Sequence, residues 1–533
     1  MRVWSAKTDT VRRTPAPVDF VLAPSRKAAV VSLIILVITS IALWLQLSTY
    51  PNHDVAWVLW GAREMLGGAK FGKDIIEPNP PLAWYLSMPT TALAKWLGVP
   101  LDWTFRGAVA IVGAVSAASL AWLASDHRSY SSRIALCTIA AVSLLLLPGR
   151  EFGQREHLLA IAILPYLGVA ARRMAGSRVP SPTIQLLVGI IAGVGLALKP
   201  YFVCVPVLVE IGLLTLGAQR PRLLRAENVG VAAVFVTYAV WSLAFEQNYL
   251  LQVAPLASEI YWSFNLPFPQ IIPPLAVQLA VAAPLMIVAG QKRDPLGLVT
   301  TLAWSGFAAS YLIQQKGYGY HLLPVVVGTF LLLGCVLTNR EVSRPMRASA
   351  ALLALIFASS SFSPVLQWWR INKPGGLRSI EIGRLLTSID HHATNGRFLV
   401  VAVHPYPAFP TAIYTSAQYT SRTNSQWFLP AVVQTRTRAA GDHDNLSIER
   451  HAREFILRDL RERPDLVLID TDSARHTVSS SKFDFLTFYQ QDETFRSLWQ
   501  HYREIEPIGR YRQFVAIPAH AETAPPFRMD SAR

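Results

Sequence analysis

The stretch from Tyr50 to Pro81, YPNHDVAWVLWGAREMLGGAKFGKDIIEPNPP, directly follows the first long apolar run of the chain, residues 28–47. That run is about 20 residues long, which is enough to span a bilayer at ~1.5 Å per residue. The stretch itself carries the acidic side chains of Asp54, Asp74 and Glu77 among glycine and proline turn signals. We therefore expect it to lie just outside a membrane, where most of the remaining chain acts as its scaffold.

The composition is that of a polytopic membrane protein. Of 533 residues, 52% are hydrophobic and only 16% are charged, and the mean hydropathy is +0.32. The formal net charge is +15, but the arginines fall in short groups between apolar runs, which favours orientation signals over a nucleic-acid surface. All three cysteines lie inside apolar runs, so the sequence supports neither a disulfide framework nor a zinc site.

The apolar runs predict eleven spanning helices. The first run, 28–47, lacks a small-residue cleavage site and should remain as an anchor. The further runs are 104–125, 133–148, 157–171, 183–198, 201–218, 229–246, 271–290, 296–313, 321–338 and 347–363.

The run 82–98 decides the topology. It starts at a Pro-Pro pair and contains Pro89 and Lys95. If it does not span, the arginine and lysine clusters between the apolar runs all fall on the side of the basic N-terminal tail, 1–27, as the positive-inside rule requires. We therefore predict that 82–98 packs within or lies on the outer leaflet. The tail is then cytoplasmic and the C-terminus lies outside the cytoplasm.

This topology divides the chain into a membrane domain, 28–363, and an extracytoplasmic α/β domain, 364–518, followed by a disordered tail, 519–533. The first outer loop is 48–103. In the α/β domain, Arg397–His404, Asp465–Asp470 and Gln513–Ile517 read as buried strands, whereas Leu446–Arg463 and Ser481–Glu504 read as helices. Acidic residues, histidines and aromatic residues gather in the outer loops, so we expect the chemistry to face outward.

Asp54 is the candidate general base. A carboxylate just above the bilayer and shielded from water can have a raised pKa and can accept a proton from a sugar hydroxyl. An alternative interpretation is that Asp54 caps a helix that starts at Val55. The following residues, Val55–Leu66, have the composition of a helix at the membrane interface. The prolines after Glu77 force an extended segment that should line a cavity.

The order of these elements resembles the first outer loop of integral-membrane GT-C glycosyltransferases, a group that includes protein O-mannosyltransferases, aminoarabinose transferases and bacterial galacturonosyl and arabinosyl transferases. The resemblance rests on an acidic residue after the first helix, an interfacial helix, the pattern G-x-x-x-x-x-D-x-x-x-x-N-P-P-L, and an Arg that opens the next span. It covers about residues 28–363. Together with the charge pattern, the resemblance implies a bacterial inner membrane with the C-terminal domain in the periplasm.

The resemblance implies that Asp54 is the catalytic carboxylate, that Arg106 opens the second span near the donor phosphate, and that Glu156 is the acidic residue of the second outer loop. Glu156 could bind the acceptor or orient a phosphate-bound cation, whereas the alternative for this loop is an Arg155–Glu151 ion pair that closes a helix end. Val55 stands where the family often has a second acid, so no cofactor is certain and a divalent cation is left open.

Donor recognition needs cations on the outer side, where few occur. The candidate ligands of a lipid-linked phosphate are Lys199, Lys316, His321 and Arg155, together with Arg106 from the resemblance. Instead of binding phosphate, Lys199 could snorkel to the membrane interface, and His321 could end a helix with a hydrogen bond to the backbone. The remaining candidates lie in the first outer loop and face the acceptor: His53, Asp74, Glu77 and Asn79.

Together these features predict an inverting glycosyltransferase that moves a sugar from a polyprenyl-phosphate donor to a glycan, lipid or protein acceptor outside the cytoplasm. A transporter of lipid-linked sugars would instead place ionisable residues in the middle of helices and repeat its topology between two halves. A catalytically silent sugar-binding or assembly subunit is the third interpretation, and the requirement for Asp54 in turnover distinguishes it from an enzyme.

Overall fold

The computed structural model describes residues 26–124, 128–218, 224–438, 444–472, 478 and 483–518. The predicted disordered tail, 519–533, and all but the end of the N-terminal tail lie outside the described residues. The described part forms a helical membrane domain and a smaller α/β domain, which confirms the predicted fold class.

The membrane domain is built from fourteen α-helices in the described residues. They are α1 (Arg26–Leu47), α2 (His53–Leu66), α3 (Leu82–Leu97), α4 (Leu101–Leu123), α5 (Tyr130–Leu145), α6 (Arg155–Met174), α7 (Pro182–Ala197), α8 (Cys204–Leu216), α9 (Ala226–Phe245), α10 (Ala254–Ile260), α11 (Phe268–Gln291), α12 (Pro295–Gln314), α13 (Gly319–Thr338) and α14 (Arg344–Asn372).

Eight of the described helices are long and apolar enough to cross a membrane, and three shorter apolar segments, which contain α5, α7 and α8, complete the predicted set. Helix α3 is not in this set. It is 16 residues long, contains Pro89 and ends at Gly98, which adopts a left-handed conformation (φ +67°). It packs on α2, where the rings of Trp57 and Trp84 meet edge to face at 6.5 Å.

Polar groups gather at the two ends of the helix bundle. At one end, the loop after α1 meets the loop after α5, because Gln46 Nε2 donates to the Gly149 carbonyl at 2.8 Å. At the other end, Arg128 forms a bidentate ion pair with Asp294, at 2.8 and 3.0 Å. The predicted outer loops thus come together at one end, and the predicted inner loops at the other.

The α/β domain contains the remaining elements. They are α15 (Leu377–His392), β1 (Arg397–Val401), α16 (Ala408–Thr411), β2 (Gln418–Tyr419), α17 (Leu429–Arg438), α18 (Asp444–Arg461), β3 (Leu466–Asp470), α19 (Phe485–Tyr489), α20 (Glu493–Trp499), β4 (Tyr502–Ile508) and β5 (Tyr511–Ala516). The strand order is β2-β1-β3-β5-β4. Strands β2, β1 and β3 are parallel, whereas β5 and β4 are antiparallel.

The three predicted strands and the helix after Leu446 are present, but the prediction of one long helix over Ser481–Glu504 is wrong. Asp484 and Asp492 each cap a separate short helix by accepting a hydrogen bond from the backbone three residues later. The chain then turns into β4, which pairs with β5 through a hairpin at Gly509 (φ +57°). Two capping aspartates inside one polar segment favour two short helices.

The α/β domain docks directly on the first outer loop. Phe409 packs edge to face against Trp57 and Trp60, with ring centroids 5.1 and 5.8 Å apart. The backbone N–H of Ile76 donates to the Arg422 carbonyl at 2.8 Å. The first outer loop is therefore enclosed between the membrane helices and the α/β domain.

Candidate functional site

The central cavity lies where the first outer loop, the loop after α5, the start of α13 and the α/β domain meet. Its volume is about 330 Å³. The acidic side chains that line it are Asp54, Glu77 and Glu151, and the α/β domain contributes His404 and Asn424. Residues distant in sequence thus surround one enclosed space beside the membrane domain.

Asp54 reaches this cavity from the first turn of α2. The helix is capped by Asn52, whose side-chain oxygen accepts a hydrogen bond from the Asp54 backbone N–H at 2.9 Å. The alternative interpretation of Asp54 as the cap is therefore wrong. Its carboxylate, about one quarter exposed, lies 3.7 Å from Nε2 of His53, and the His53 ring packs against the ring of His404 at 4.3 Å.

Glu77 is the second carboxylate of the cavity and is almost fully buried. It accepts hydrogen bonds from Trp57 Nε1 at 2.9 Å and from the backbone and side chain of Asn79. Asn424 Nδ2 approaches it to 3.5 Å from the α/β domain. Burial raises the pKa of Glu77, and the positive charge of Arg155 opposes this shift. The extended Pro-rich segment therefore holds a carboxylate in place, as its position beside the turn signals predicts.

A second space, the cationic cavity of about 430 Å³, adjoins the central cavity. Four predicted phosphate ligands line it: Arg155, Lys199, Lys316 and His321. The structure brings these four together although they come from three different loops and helix ends. Their convergence is what a common anionic ligand requires.

Lys199 is held by a buried polar cluster. Its ammonium donates to Glu156, to Gln314 Oε1 at 3.1 Å and to His321 Nε2 at 3.1 Å. His321 Nε2 also lies 3.4 Å from Glu156 Oε1. Because Lys199 is buried, snorkelling does not describe it. The His321 ring contacts this cluster through Nε2, and its Nδ1 has no hydrogen-bond partner among the described residues, so a backbone hydrogen bond of the ring does not describe His321.

Lys316 lies in the loop between α12 and α13. It donates to the Tyr261 carbonyl at 2.6 Å and to Asn265 Oδ1 at 2.7 Å. Burial, together with repulsion by Lys199, lowers its pKa to about 8. Lys316 is thus a cation whose charge depends on pH close to neutrality.

Arg155 connects the two cavities, since it lines both. Its Nη1 is buried and has no hydrogen-bond partner among the described residues. The carboxylates of Glu156, Glu77 and Asp54 all attract its charge. A buried, unpaired guanidinium nitrogen costs free energy unless a ligand satisfies it, so Arg155 points to an anion at the junction of the two cavities.

The structure does not place Glu156 in the central cavity, where the predicted catalytic role requires it. Its side chain is fully buried beside Lys199 and His321, and its Oε2 has no hydrogen-bond partner among the described residues. The alternative ion pair of this loop is wrong as well, because Glu151 pairs with Arg150 at 3.0 Å. Glu156 therefore supports the cations and does not contact an acceptor in the central cavity.

Two other predicted site residues lie outside both cavities. Arg106 is buried in an ion pair with Asp102 at 3.4 Å and donates to the Thr49 carbonyl at 2.8 Å, so it joins α4 to the end of α1. Asp74 accepts a hydrogen bond from the Lys70 backbone at 2.9 Å and fixes a turn at the surface. Neither side chain lines the central or the cationic cavity, so the structure does not bring them to the other predicted site residues.

His404 and Asn424 were missed by sequence reasoning. The residues before His404, RFLVVAV, read as a buried strand, and HPYPAFP after them reads as a loop. A polar side chain directly after a buried parallel strand is a recurrent position for binding residues, and that signal could have identified His404. Asn424 has no comparable local signal.

A divalent cation does not fit the residues present. In the ranges that the structure describes, no group of three or more His, Cys, Asp or Glu side chains converges as a metal site. Glu151 is occupied by Arg150, Gln154 and Asn52. Hard cations need several oxygen ligands, so no step of the reaction is assigned to a metal.

No protein-family model matches the chain, and no curated protein is significantly similar to it in sequence. Among solved structures, it is similar to the archaeal oligosaccharyltransferase AglB from Archaeoglobus fulgidus in complex with an inhibitory peptide and a dolichol-phosphate. The TM-score is 0.49 at 11% identity over 94% of this chain and 75% of that one. The apo form gives a TM-score of 0.47 at 10% identity, over 89% and 73% of the two chains.

A third structure of that oligosaccharyltransferase, tethered to an acceptor peptide, gives a TM-score of 0.48 at 11% identity, over 90% of this chain and 73% of that one. By their descriptions these neighbours are oligosaccharyltransferases. At this level the similarity concerns the general course of the chain and contributes nothing to the assignment of residues or substrates.

Proposed function

We propose that this protein is an inverting glycosyltransferase that moves a sugar from a polyprenyl-phosphate donor to an acceptor outside the cytoplasm. The observation that carries the proposal is the pair of adjoining cavities. One presents the carboxylates of Asp54 and Glu77, the other presents Lys199 and Lys316, and Arg155 lines both. Transfer of a sugar from a phosphate leaving group needs a general base for the acceptor and, beside it, a site that binds the anionic phosphate.

The donor phosphodiester lies in the cationic cavity in this proposal. It carries one negative charge, and its oxygens accept hydrogen bonds from Arg155, Lys199 and Lys316. Glu156 neutralises part of the positive charge and fixes the Lys199 ammonium. The cluster therefore keeps its geometry before the donor binds, which lowers the cost of ordering the site.

Transfer then proceeds in one displacement. Asp54 takes the proton of an acceptor hydroxyl, and the hydroxyl oxygen attacks the anomeric carbon from the face opposite the phosphate. The bond between that carbon and the phosphate oxygen breaks, and the phosphate leaves with the electron pair. Arg155 and the lysines stabilise the charge that develops on this leaving group. The configuration at the anomeric carbon is inverted.

The test is transfer from a panel of radiolabelled polyprenyl-phosphate sugars in proteoliposomes that contain the full chain. Asp54→Asn is compared with Asp74→Asn, a matched control, because Asp74 lies outside both cavities and an asparagine can still accept the Lys70 hydrogen bond. Removal of a general base should lower the rate by about 100-fold or more. The control should retain wild-type rate, and all three proteins should unfold at the same temperature.

Three results would count against the proposal. Equal activity of Asp54→Asn and wild type would remove Asp54 as the base. Movement of labelled donor across the bilayer without transfer would identify a transporter. Saturable donor binding without turnover by wild type would identify a sugar-binding subunit.

A further inference from the structure

A third space, the lateral cavity, lies beside the central cavity and has a volume of about 790 Å³. It is bounded by α11, α13, α14 and the loop that begins at His404. The lateral and central cavities share Asn52, His53, Glu151 and His404 among their lining residues. The lateral cavity therefore adjoins the central cavity, which Asp54 lines.

The far part of the lateral cavity lies between spanning helices and is mostly apolar, although Gln278, Ser360 and Ser361 also line it. Val277 of α11, Val326 of α13 and Phe357 of α14 line it. Val277 is well inside α11, about 14 Å from the first residue of the helix at ~1.5 Å per residue. Val277 is 60% exposed, and Ser360 of α14 is also exposed. The cavity thus opens sideways on a surface that faces lipid chains when the helices span a membrane.

The near part of the lateral cavity is polar. Arg378 lines it with its guanidinium 4.1 Å from the ring of Tyr406, and Arg150 lies at the border with the central cavity. The cavity therefore changes from apolar to polar along its length, and its polar end meets the central cavity. An amphipathic molecule matches this gradient, whereas a water-soluble glycan or protein has no group for the apolar part.

The cationic cavity lies on another side of the central cavity. Among the described residues, it shares five lining residues with the central cavity and none with the lateral cavity; the five are Pro78, Asn79, Arg155, Tyr261 and Tyr320. Two substrates can therefore approach the central cavity from different sides. A displacement with inversion requires such an arrangement, because the acceptor attacks opposite the leaving group.

We propose that the acceptor is a lipid-linked molecule whose hydrocarbon chain lies in the lateral cavity and whose hydroxyl-bearing head reaches Asp54. The inference rests on the proposed function, since it assigns the second substrate of the same site. The lateral cavity then selects acceptors that carry a membrane anchor, and the donor enters through the cationic cavity.

The experiment blocks the lateral cavity in the full chain. Ser360→Trp fills its mouth, and Val277→Trp does so from the facing helix. Leu352→Trp is the matched control, because Leu352 is 61% exposed on the same helix α14 and does not line the cavity. Proteoliposomes receive labelled donor and either a chloroform–methanol extract or the delipidated protein fraction of the source membranes. Label is counted in organic phase, in protein and as free sugar from donor hydrolysis.

We expect label in the organic phase. Ser360→Trp and Val277→Trp should lower transfer at least tenfold and keep donor hydrolysis within twofold of wild type, whereas Leu352→Trp should change neither. Label in the protein fraction, or full transfer by both blocked variants, would overturn the inference and leave the glycosyltransferase proposal standing. An equal loss of transfer and hydrolysis would overturn it too, because the lateral cavity would then hold the donor chain. Wild type that neither transfers nor hydrolyses any donor would instead refute the proposed function itself.

Discussion

Replacement of Arg155 by glutamine tests the junction of the two cavities most directly. The guanidinium lines both spaces, and its Nη1 is buried without a partner among the described residues. In the proposed mechanism this nitrogen donates to the donor phosphate. The substitution removes a nitrogen that has no hydrogen-bond partner among the described residues, but it also removes the charge that attracts Glu156, Glu77 and Asp54. Stability is therefore measured beside activity for each variant.

The expected loss of kcat/KM follows from the kind of hydrogen bond that the substitution removes. A hydrogen bond to a charged group contributes about 1.5–3 kcal/mol, and each ~1.4 kcal/mol is a factor of ten. Arg155→Gln should therefore lower kcat/KM for the donor by about 10- to 150-fold. Arg155→Lys keeps the charge but loses the planar fork, so its effect should be smaller.

The assay is the initial rate of sugar transfer at several donor concentrations in proteoliposomes, together with the melting temperature of each variant. Arg340→Gln serves as the control, because Arg340 is an exposed cation that lines neither of the two cavities. A kcat/KM for Arg155→Gln within twofold of wild type, with unchanged stability, would show that no phosphate binds at this junction.

Two further predictions concern pH. Burial lowers the pKa of both Lys316 and Lys199 to about 8, so both lose their charge as pH rises through 8 and the KM for the donor should rise between pH 7 and 9. Lys316→Arg, which stays charged, should remove part of that rise, and a pH profile of this variant identical to that of wild type would exclude Lys316 as a phosphate ligand. Burial raises the pKa of Asp459 in the α/β domain to about 8, so the folded state holds a proton that the unfolded chain releases above pH 4, and stability from this group falls as pH rises from about 4 to 8. Asp459→Asn should therefore raise the melting temperature of the full chain at pH 8 and change it little at pH 4.5, and equal shifts at both values would contradict this account.

The sequence predicted the membrane domain well because a spanning helix is a local property. About 20 apolar residues are required for each span, and the arginines and lysines between spans indicate which loops lie together. Only the run 82–98 needed an additional argument, and α3 does lie outside the set of candidate spans. The convergence of Lys199, Lys316, His321 and Arg155 followed from the same division of loops, since all were expected on one side.

The direction of individual side chains could not be predicted in the same way. Consecutive helical residues point about 100° apart, so Arg155 lines the cavities while Glu156 is buried against Lys199. The positions of Arg155 and Glu156 along the helix were predictable from the sequence, but the direction in which each side chain points was not. For Arg106 the sequence did contain a signal against the predicted ligand role, because Asp102 stands four residues before it and such pairs meet on one face of a helix.

The role of the α/β domain is the part that required the three-dimensional structure. The segment around Glu77 is rich in proline and has few backbone hydrogen bonds of its own, so its position depends on outside contacts. One of these is the bond from the Ile76 N–H to the Arg422 carbonyl, and another is the approach of Asn424 to Glu77. On the opposite wall of the central cavity, the ring of His404 packs against the ring of His53, the residue before Asp54. The carboxylates are therefore placed by both domains at once, and the α/β domain is a component of the candidate site as well as its cover.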